Sequence, residues 1–210
     1  MYSIAIFGGT FDPVHNGHIQ TSLAIQEQFH FNSYRFIPCK APAIKPPSLA
    51  NTDQRITMLK LAIKNHSQFE IDLREIERDT PSYMVETLQS IRRDHKEASI
   101  TLILGYDAFV SLPQWYQWEE ITKLAHLLVI NRDAFNIDLP EPITSLLQEH
   151  QVRDTKALLN QAAGVIYQFN AGNYPISSTQ IRTELKKQAD INSQISQEIY
   201  DYIKLQGLYR

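Results

Sequence analysis

Four apolar residues followed at once by two glycines, Ile4-Ala5-Ile6-Phe7-Gly8-Gly9, confine this chain more than any other stretch of its 210 residues. A run this short and this apolar suits a strand, and glycines that end a strand call for a sharp turn. Beyond them, Thr10-Phe11-Asp12-Pro13-Val14-His15-Asn16-Gly17-His18 leads into Ile19, Leu23, Ala24 and Phe29. Their spacing predicts a helix from Gly17 to about Phe29. In such a strand, glycine turn and helix, backbone N–H groups without side-chain cover meet the positive end of a helix dipole, which makes a cradle for phosphate. His15 and His18 stand three residues apart on the opening helical turn, so they share a face and reach the same phosphate oxygens. No serine nucleophile or carboxylate pair stands beside them, and the chemistry they suggest is charge stabilisation at a phosphorus centre.

The rest of the chain repeats the alternation. Tyr34-Arg35-Phe36-Ile37 completes a strand-helix-strand unit whose parallel pairing is right-handed. Ile100-Thr101-Leu102-Ile103-Leu104, Ala125 to Ile130 and Val165 to Phe169 are further strand-length apolar runs, and the first two suit parallel strands buried on both faces. The expectation is an α/β fold, a Rossmann-like doubly wound parallel sheet. One domain over 1–210 is expected, with an irregular insert at about 133–161 and a helical part at about 178–205. A hydrophobic share of 43% and a charged share of 20% are ordinary for a soluble chain. A net charge of -3 argues against broad nucleic-acid binding. The single cysteine, Cys39, excludes an intrachain disulfide and the usual zinc spacings, and fits a reducing cytosol. No window approaches the roughly 18 apolar residues that a membrane span needs, and no leader is expected.

Between these strands lie the remaining candidates. Pro38, Pro42, Pro46 and Pro47 force a loop at a strand exit, where open α/β sheets bind ligands. Lys40 and Lys45 within it are phosphate contacts or plain surface charges. Asp53 is expected to cap the helix that carries Arg55, Ile56, Met58 and Leu59, a structural segment without chemistry. The mixed charges from Arg74 to Asp79 read as a solvated face, and Thr80-Pro81-Ser82 as a helix start with Glu86 a turn inside. Asp107, just past a strand end, either accepts ribose hydroxyls or caps the helix that follows. Trp115 and Tyr116 are core filler or a flat stacking surface, and Trp118 reads as core. His126 reads as a hydrogen-bonded core residue, and Arg132 as a phosphate or adenine-side contact. Ser177 or Ser178 caps a helix whose hydroxyl-rich first turn, with Arg182 on its face, is a second anion site. Ile195, Ile199, Tyr202, Ile203 and Leu205 then pack a closing helix up to Gly207.

Taken together, these motifs resemble those of a known family. Thr10 to His18 is similar to the nucleotidyltransferase signature, with His15-Asn16-Gly17-His18 matching its H-x-G-H core. Pro81-Ser82-Tyr83 with Thr87-Leu88, Gly105-Tyr106-Asp107, Trp115-Tyr116, and Ser177, Thr179 and Arg182 resemble the further motifs of bacterial nicotinate-nucleotide adenylyltransferases. The resemblance covers nearly the whole chain and implies transfer of AMP from ATP to nicotinate mononucleotide, with Mg2+ carried mainly on the ATP phosphates. It implies catalytic roles for His15, His18 and Arg182. It also implies ATP or phosphate contacts from Gly8, Gly9, Thr10, Phe11, Lys45, Asp107, Ser177, Ser178 and Thr179, and a nicotinate pocket from Ser82, Tyr83, Met84, Trp115 and Tyr116. The chain departs from the pattern at Ile44, where the family carries histidine, and at Met84, where it carries threonine. Rival readings are an enzyme for nicotinamide mononucleotide or phosphopantetheine, a silent nucleotide sensor, and a synthetase fragment, the last lacking its lysine-rich loop. The sequence leaves the oligomeric state open.

Overall fold

The computed structural model describes residues 1–42, 46–130 and 139–210. Its strands are β1 (Ser3–Gly9), β2 (Ser33–Pro38), β3 (Phe69–Ile71), β4 (Ser99–Gly105), β5 (His126–Ile130) and β6 (Ile166–Phe169). Its helices are α1 (Asn16–Phe29), α2 (Thr52–Ile63), α3 (Arg74–Glu77), α4 (Met84–Asp94), α5 (Tyr106–Val110), α6 (Ile121–Leu124), α7 (Glu141–His150), α8 (Ala157–Asn160), α9 (Ser178–Lys186) and α10 (Gln197–Gln206). The six strands form one sheet in the order β3-β2-β1-β4-β5-β6, and every neighbouring pair is parallel. The order reverses between β1 and β4, the topological switch at which such sheets leave a crevice beyond their strand ends.

The apolar runs are continuous because both faces of the sheet are covered. Along β1, Ala5 faces one hydrophobic cluster while Ile4 and Ile6 face the other. The same alternation sends Ile103, Leu128 and Ile130 to the first side, and Leu102, Leu104, Leu127 and Val129 to the second. The first side is closed by Ile19, Ile25 and Phe29 of α1, Met58 and Leu59 of α2, Ile181 of α9 and Ile199 and Ile203 of α10. The second is closed by Val85, Leu88 and Ile91 of α4, Phe109 of α5, Ile121 of α6 and Ile143 and Leu146 of α7. Truncating any one of these large side chains to alanine costs about 2–5 kcal/mol.

Several local expectations need correction. The cap of α2 is Asn51, not Asp53: Asn51 accepts from the Gln54 N–H at 2.9 Å, and the Gln54 side chain accepts from the Asn51 N–H at 2.9 Å. This reciprocal pair satisfies two orphan donors, which Asp53, already inside the first turn, cannot do. Helix α4 begins at Met84, and its cap residue Tyr83 gives no side-chain bond. The Thr80 hydroxyl instead donates to Glu86 at 2.9 Å. The described part of 133–161 is not irregular, because α7 and α8 bury Ile143, Leu146 and Leu158. Leu205 is 81% exposed and does not help to pack α10. His126 is buried as expected, with Nδ1 accepting from the Val165 N–H at 3.1 Å and Nε2 donating to the Gln161 carbonyl at 2.9 Å. The corrected cap has a measurable consequence. Asn51→Ala should lower the unfolding free energy by about 1 kcal/mol in urea titrations, and Asp53→Ala by only a few tenths.

Candidate active site

The ladder between β1 and β4 ends at Phe7 and Ile103. Its flanking ladders run two residues further, to Gly9 opposite Pro38 and to Gly105 opposite Ile130. The sheet therefore opens where the two central strands finish, and both open ends are glycines. A side chain at Gly9 would meet the Phe11 ring at 3.0 Å, and one at Gly8 would meet the end of Met84 at 2.7 Å. At Gly105 a Cβ would meet nothing within 4 Å, and the backbone φ there is an ordinary -63°. Packing inside the chain therefore does not require this glycine, and the space above its backbone is open to the crevice.

His15 is the cap residue of α1, with extended backbone, and its ring is 3% exposed. The His18 ring stacks on it, centroids 3.7 Å apart. His18 Nδ1 accepts from the His15 N–H at 3.3 Å, which leaves Nε2 as the donor nitrogen of the neutral ring. Gly17 makes the pair possible, since a Cβ there would lie 3.0 Å from His15 Nδ1. Phe11 has a φ of 50°, and its ring is 2% exposed against Phe7, Phe36 and His18, so only its backbone is offered to a ligand.

The second helix start lies against the same turn. Ser177 caps α9 by accepting from the Gln180 N–H at 3.1 Å, which keeps its own hydroxyl proton available. Ser178 donates to the Pro13 carbonyl at 2.9 Å. Arg182 donates to the Asp12 carbonyl at 2.7 Å and to Thr179 Oγ1 at 3.2 Å, two of its five N–H donors. The two ends of the chain thus bring His15, His18 and Arg182 to one turn. Asp107 is exposed in the first turn of α5 and is not its cap, which is Gly105.

The structure also joins Ser82, Tyr83 and Met84 to this opening. Ser82 Oγ accepts from the Lys40 N–H at 2.9 Å, Met84 reaches over Gly8, and the Tyr83 ring stands 4.6 Å from that of Tyr116. Tyr116 is 51% exposed, while Trp115 and Trp118 are half-buried against the second core cluster. Lys45, Ile44 and Arg132 lie outside the described residues. Among the described residues no group of three His, Cys, Asp or Glu side chains is placed to hold a metal.

Three residues of this region escaped the sequence reading. Asp12, 4% exposed, accepts from the N–H groups of Leu49 (2.8 Å) and Ala50 (3.1 Å) and from the Tyr209 hydroxyl (2.6 Å). Arg55 is fully buried behind Thr10. Glu75, from a run expected to be solvated, is 2% exposed and accepts from the Thr87 hydroxyl at 2.6 Å. Its neighbours Arg74 and Arg78 are also largely covered, at 17% and 19% side-chain exposure. Charge alternation along a chain does not show which member a fold turns inward.

Compared with known proteins, residues 6–184 match the family model described as cytidylyltransferase-like. A protein of Legionella pneumophila named "Probable nicotinate-nucleotide adenylyltransferase" is 58% identical over 211 residues, covering 100% of both chains. One of that name from Methylococcus capsulatus is 37% identical, covering 98% of this chain and 99% of its own. The chain belongs to the nicotinate-nucleotide adenylyltransferase family. In fold it is similar to the Plasmodium falciparum nicotinic acid mononucleotide adenylyltransferase solved in complex with NaAD, with a TM-score of 0.75 at 24% identity and coverage of 100% and 98%. A Vibrio parahaemolyticus structure matches with a TM-score of 0.66 at 21% identity, covering 100% and 96%. This member of the adenylyltransferase family thus has its two signature motifs in contact, through Ser178 and Arg182 on the Asp12-Pro13 carbonyls.

Burial pushes the Glu75 carboxyl above its ordinary 4.5, against the Thr87 and Ser82 hydroxyls, which favour the charged form. Between the ordinary and the raised value the folded state holds a proton that the unfolded chain has released, so stability falls as pH rises through that window. Glu75→Gln should flatten that fall, as read from urea unfolding repeated from about pH 4 upward.

Proposed function

We propose that the chain transfers the adenylyl group of ATP to nicotinate mononucleotide, giving deamido-NAD and pyrophosphate. The observation that carries this reading is the meeting of the His15–His18 pair with the first turn of α9 at the opening between β1 and β4. The relatives that share the whole length of the chain bear the name of that reaction, and a neighbour in fold was solved with NaAD.

In this reading the 5′-phosphate of the mononucleotide attacks the α-phosphorus of ATP in line. A new P–O bond forms as the bond to pyrophosphate breaks. A phosphate dianion is already a nucleophile, so the protein supplies position and charge neutralisation rather than a base. The N–H groups of the Gly8–Phe11 turn and the imidazoles of His15 and His18 hold the oxygens of the transferring group, with His18 donating through Nε2. Arg182, with three N–H donors not engaged by Asp12 and Thr179, takes the leaving pyrophosphate. The Ser177 and Thr179 hydroxyls take the same charge, and Ser178 locks the helix start to Pro13. Asp107 accepts from the ATP ribose. The first-turn N–H group of α4 at Met84 receives the nicotinate carboxylate, which Trp115 and Tyr116 flank, while the Tyr83 N–H is held by the Pro81 carbonyl at 2.8 Å.

A divalent ion fits this site as a passenger on the nucleotide. The Asp12 carboxylate is taken by three protein donors, and Asp107 is a single exposed carboxylate. Mg2+ held by phosphate oxygens and water would neutralise the charge of the leaving pyrophosphate. The single Cys39 accords with a cytosolic enzyme, and no helix among the described residues is long and apolar enough to cross a membrane.

Pyrophosphate release, measured with ATP, Mg2+ and one acceptor at a time, tests the reading. Turnover should strongly favour nicotinate mononucleotide over nicotinamide mononucleotide and phosphopantetheine, and release with none of the three despite ATP binding would overturn it. In the same assay His18→Ala should lower kcat about a hundredfold and shift the KM for ATP little. An unchanged kcat would remove His18 from the chemistry.

A further inference from the structure

Arg55 projects from α2 among apolar neighbours and is completely buried. A buried guanidinium is ordinarily paired with a carboxylate, because an isolated charge is costly to desolvate. Among the described residues Arg55 forms no ion pair within 4.0 Å. Its donors go mainly to main-chain carbonyls instead: Nη1 to Thr10 at 2.7 Å, and Nη2 to Cys39 at 2.8 Å and Lys40 at 3.3 Å, with Thr52 Oγ1 at 3.4 Å. Its Nε has no partner among the described residues. A positive charge is therefore held behind the glycine turn, with main-chain carbonyls and one hydroxyl as its hydrogen-bond acceptors among the described residues.

The same contacts fix the direction of two peptides. A trans peptide points its C=O and the next N–H to opposite sides. With the Thr10 and Cys39 carbonyls turned to Arg55, the N–H groups of Phe11 and Lys40 face away from it. Lys40 confirms the geometry by donating to Ser82 Oγ at 2.9 Å. The Phe11 N–H has no acceptor among the described residues. Phe11 also sits at a φ of 50°, a conformation that a bulky residue keeps only when its surroundings impose it.

We propose that Arg55 is a positioning residue of the phosphate cradle: it aims the Phe11 N–H at the bound anion and places its own charge directly behind that peptide. The proposal rests on the reading above only in taking the cradle to hold nucleotide phosphates. Lysine would keep the charge but lose the planar fork that grips Thr10 and Cys39 together.

The test uses the full chain and its Arg55→Lys variant, with ATP titrated calorimetrically and pyrophosphate release followed with nicotinate mononucleotide. In parallel, the Phe11 amide of the wild-type chain is followed by 15N NMR as ATP is added. Arg55→Lys should bind ATP about tenfold more weakly and lose more in kcat than in the KM for nicotinate mononucleotide. The wild-type Phe11 amide proton should move downfield on ATP saturation. Equal ATP affinity in the two proteins, or a Phe11 amide that ATP does not shift, would overturn the proposal. If Arg55→Lys does not fold, the wild-type amide decides alone. Wild-type chain that binds ATP and shifts Phe11, yet turns over no nicotinate mononucleotide, would sink the acceptor assignment and leave the role of Arg55 standing.

Discussion

The site depends on one buried carboxylate. Asp12 lies in the turn between β1 and α1, and its two oxygens accept from Leu49 and Ala50 ahead of α2 and from Tyr209 beyond α10. Its carbonyl accepts from Arg182 of α9. Three stretches far apart in sequence are thus tied to one residue, by hydrogen bonds in which one partner is charged, worth about 1.5–3 kcal/mol each. The arrangement is reciprocal. Tyr209 is itself buried and held at a φ of 60°, and burial beside Asp12 pushes its phenol far above the ordinary range, so it is a neutral donor throughout the physiological range.

From that anchor the crevice follows from strand lengths alone. β1 and β4 stop pairing two residues before their outer neighbours do, which leaves their last backbone groups facing the opening rather than each other. Exposed backbone of that kind is what an anion needs, and side chains would block it. Gly105 has open space above it, whereas the glycines at 8, 9 and 17 make room for Met84, Phe11 and His15. One residue type thus stands in two settings at this site, with open space above it at the crevice and with side chains packed close against it.

What was legible in the sequence was what a short stretch determines by itself. The strand runs and their parallel pairing, the glycine turn, the two imidazoles three residues apart on one face and the hydroxyl-rich start of α9 all follow from local pattern, and the structure adds that the two imidazoles stack. What escaped depends on partners distant in the chain. Nothing within the α2 segment marks Arg55 as more than a helical surface charge, because its acceptors are carbonyls at Thr10, Cys39 and Lys40. Glu75 reads as solvated beside four other charges until Thr87 is folded over it. The cap of α2 was missed for a different reason. Asn51 and Gln54 form a reciprocal pair that local pattern does show, and the acidic Asp53 drew the assignment to itself.

Under the proposed function, Met84 shows how a departure from the family pattern would be absorbed. It occupies the first position of α4, where the backbone N–H has no intrahelical acceptor. A carboxylate received by that N–H is indifferent to whether the side chain carries a hydroxyl. The side chain does have to fit, and its end lies where a Cβ on residue 8 would stand, 2.7 Å away. The flexible end of the methionine lies over Gly8 and packs on the apolar flank of the strand end. Threonine at the same place would leave that flank more open and add a donor. Recognition through the main chain, as proposed above, would separate the two demands: the helix start would fix the polar contact and leave the side chain to satisfy packing.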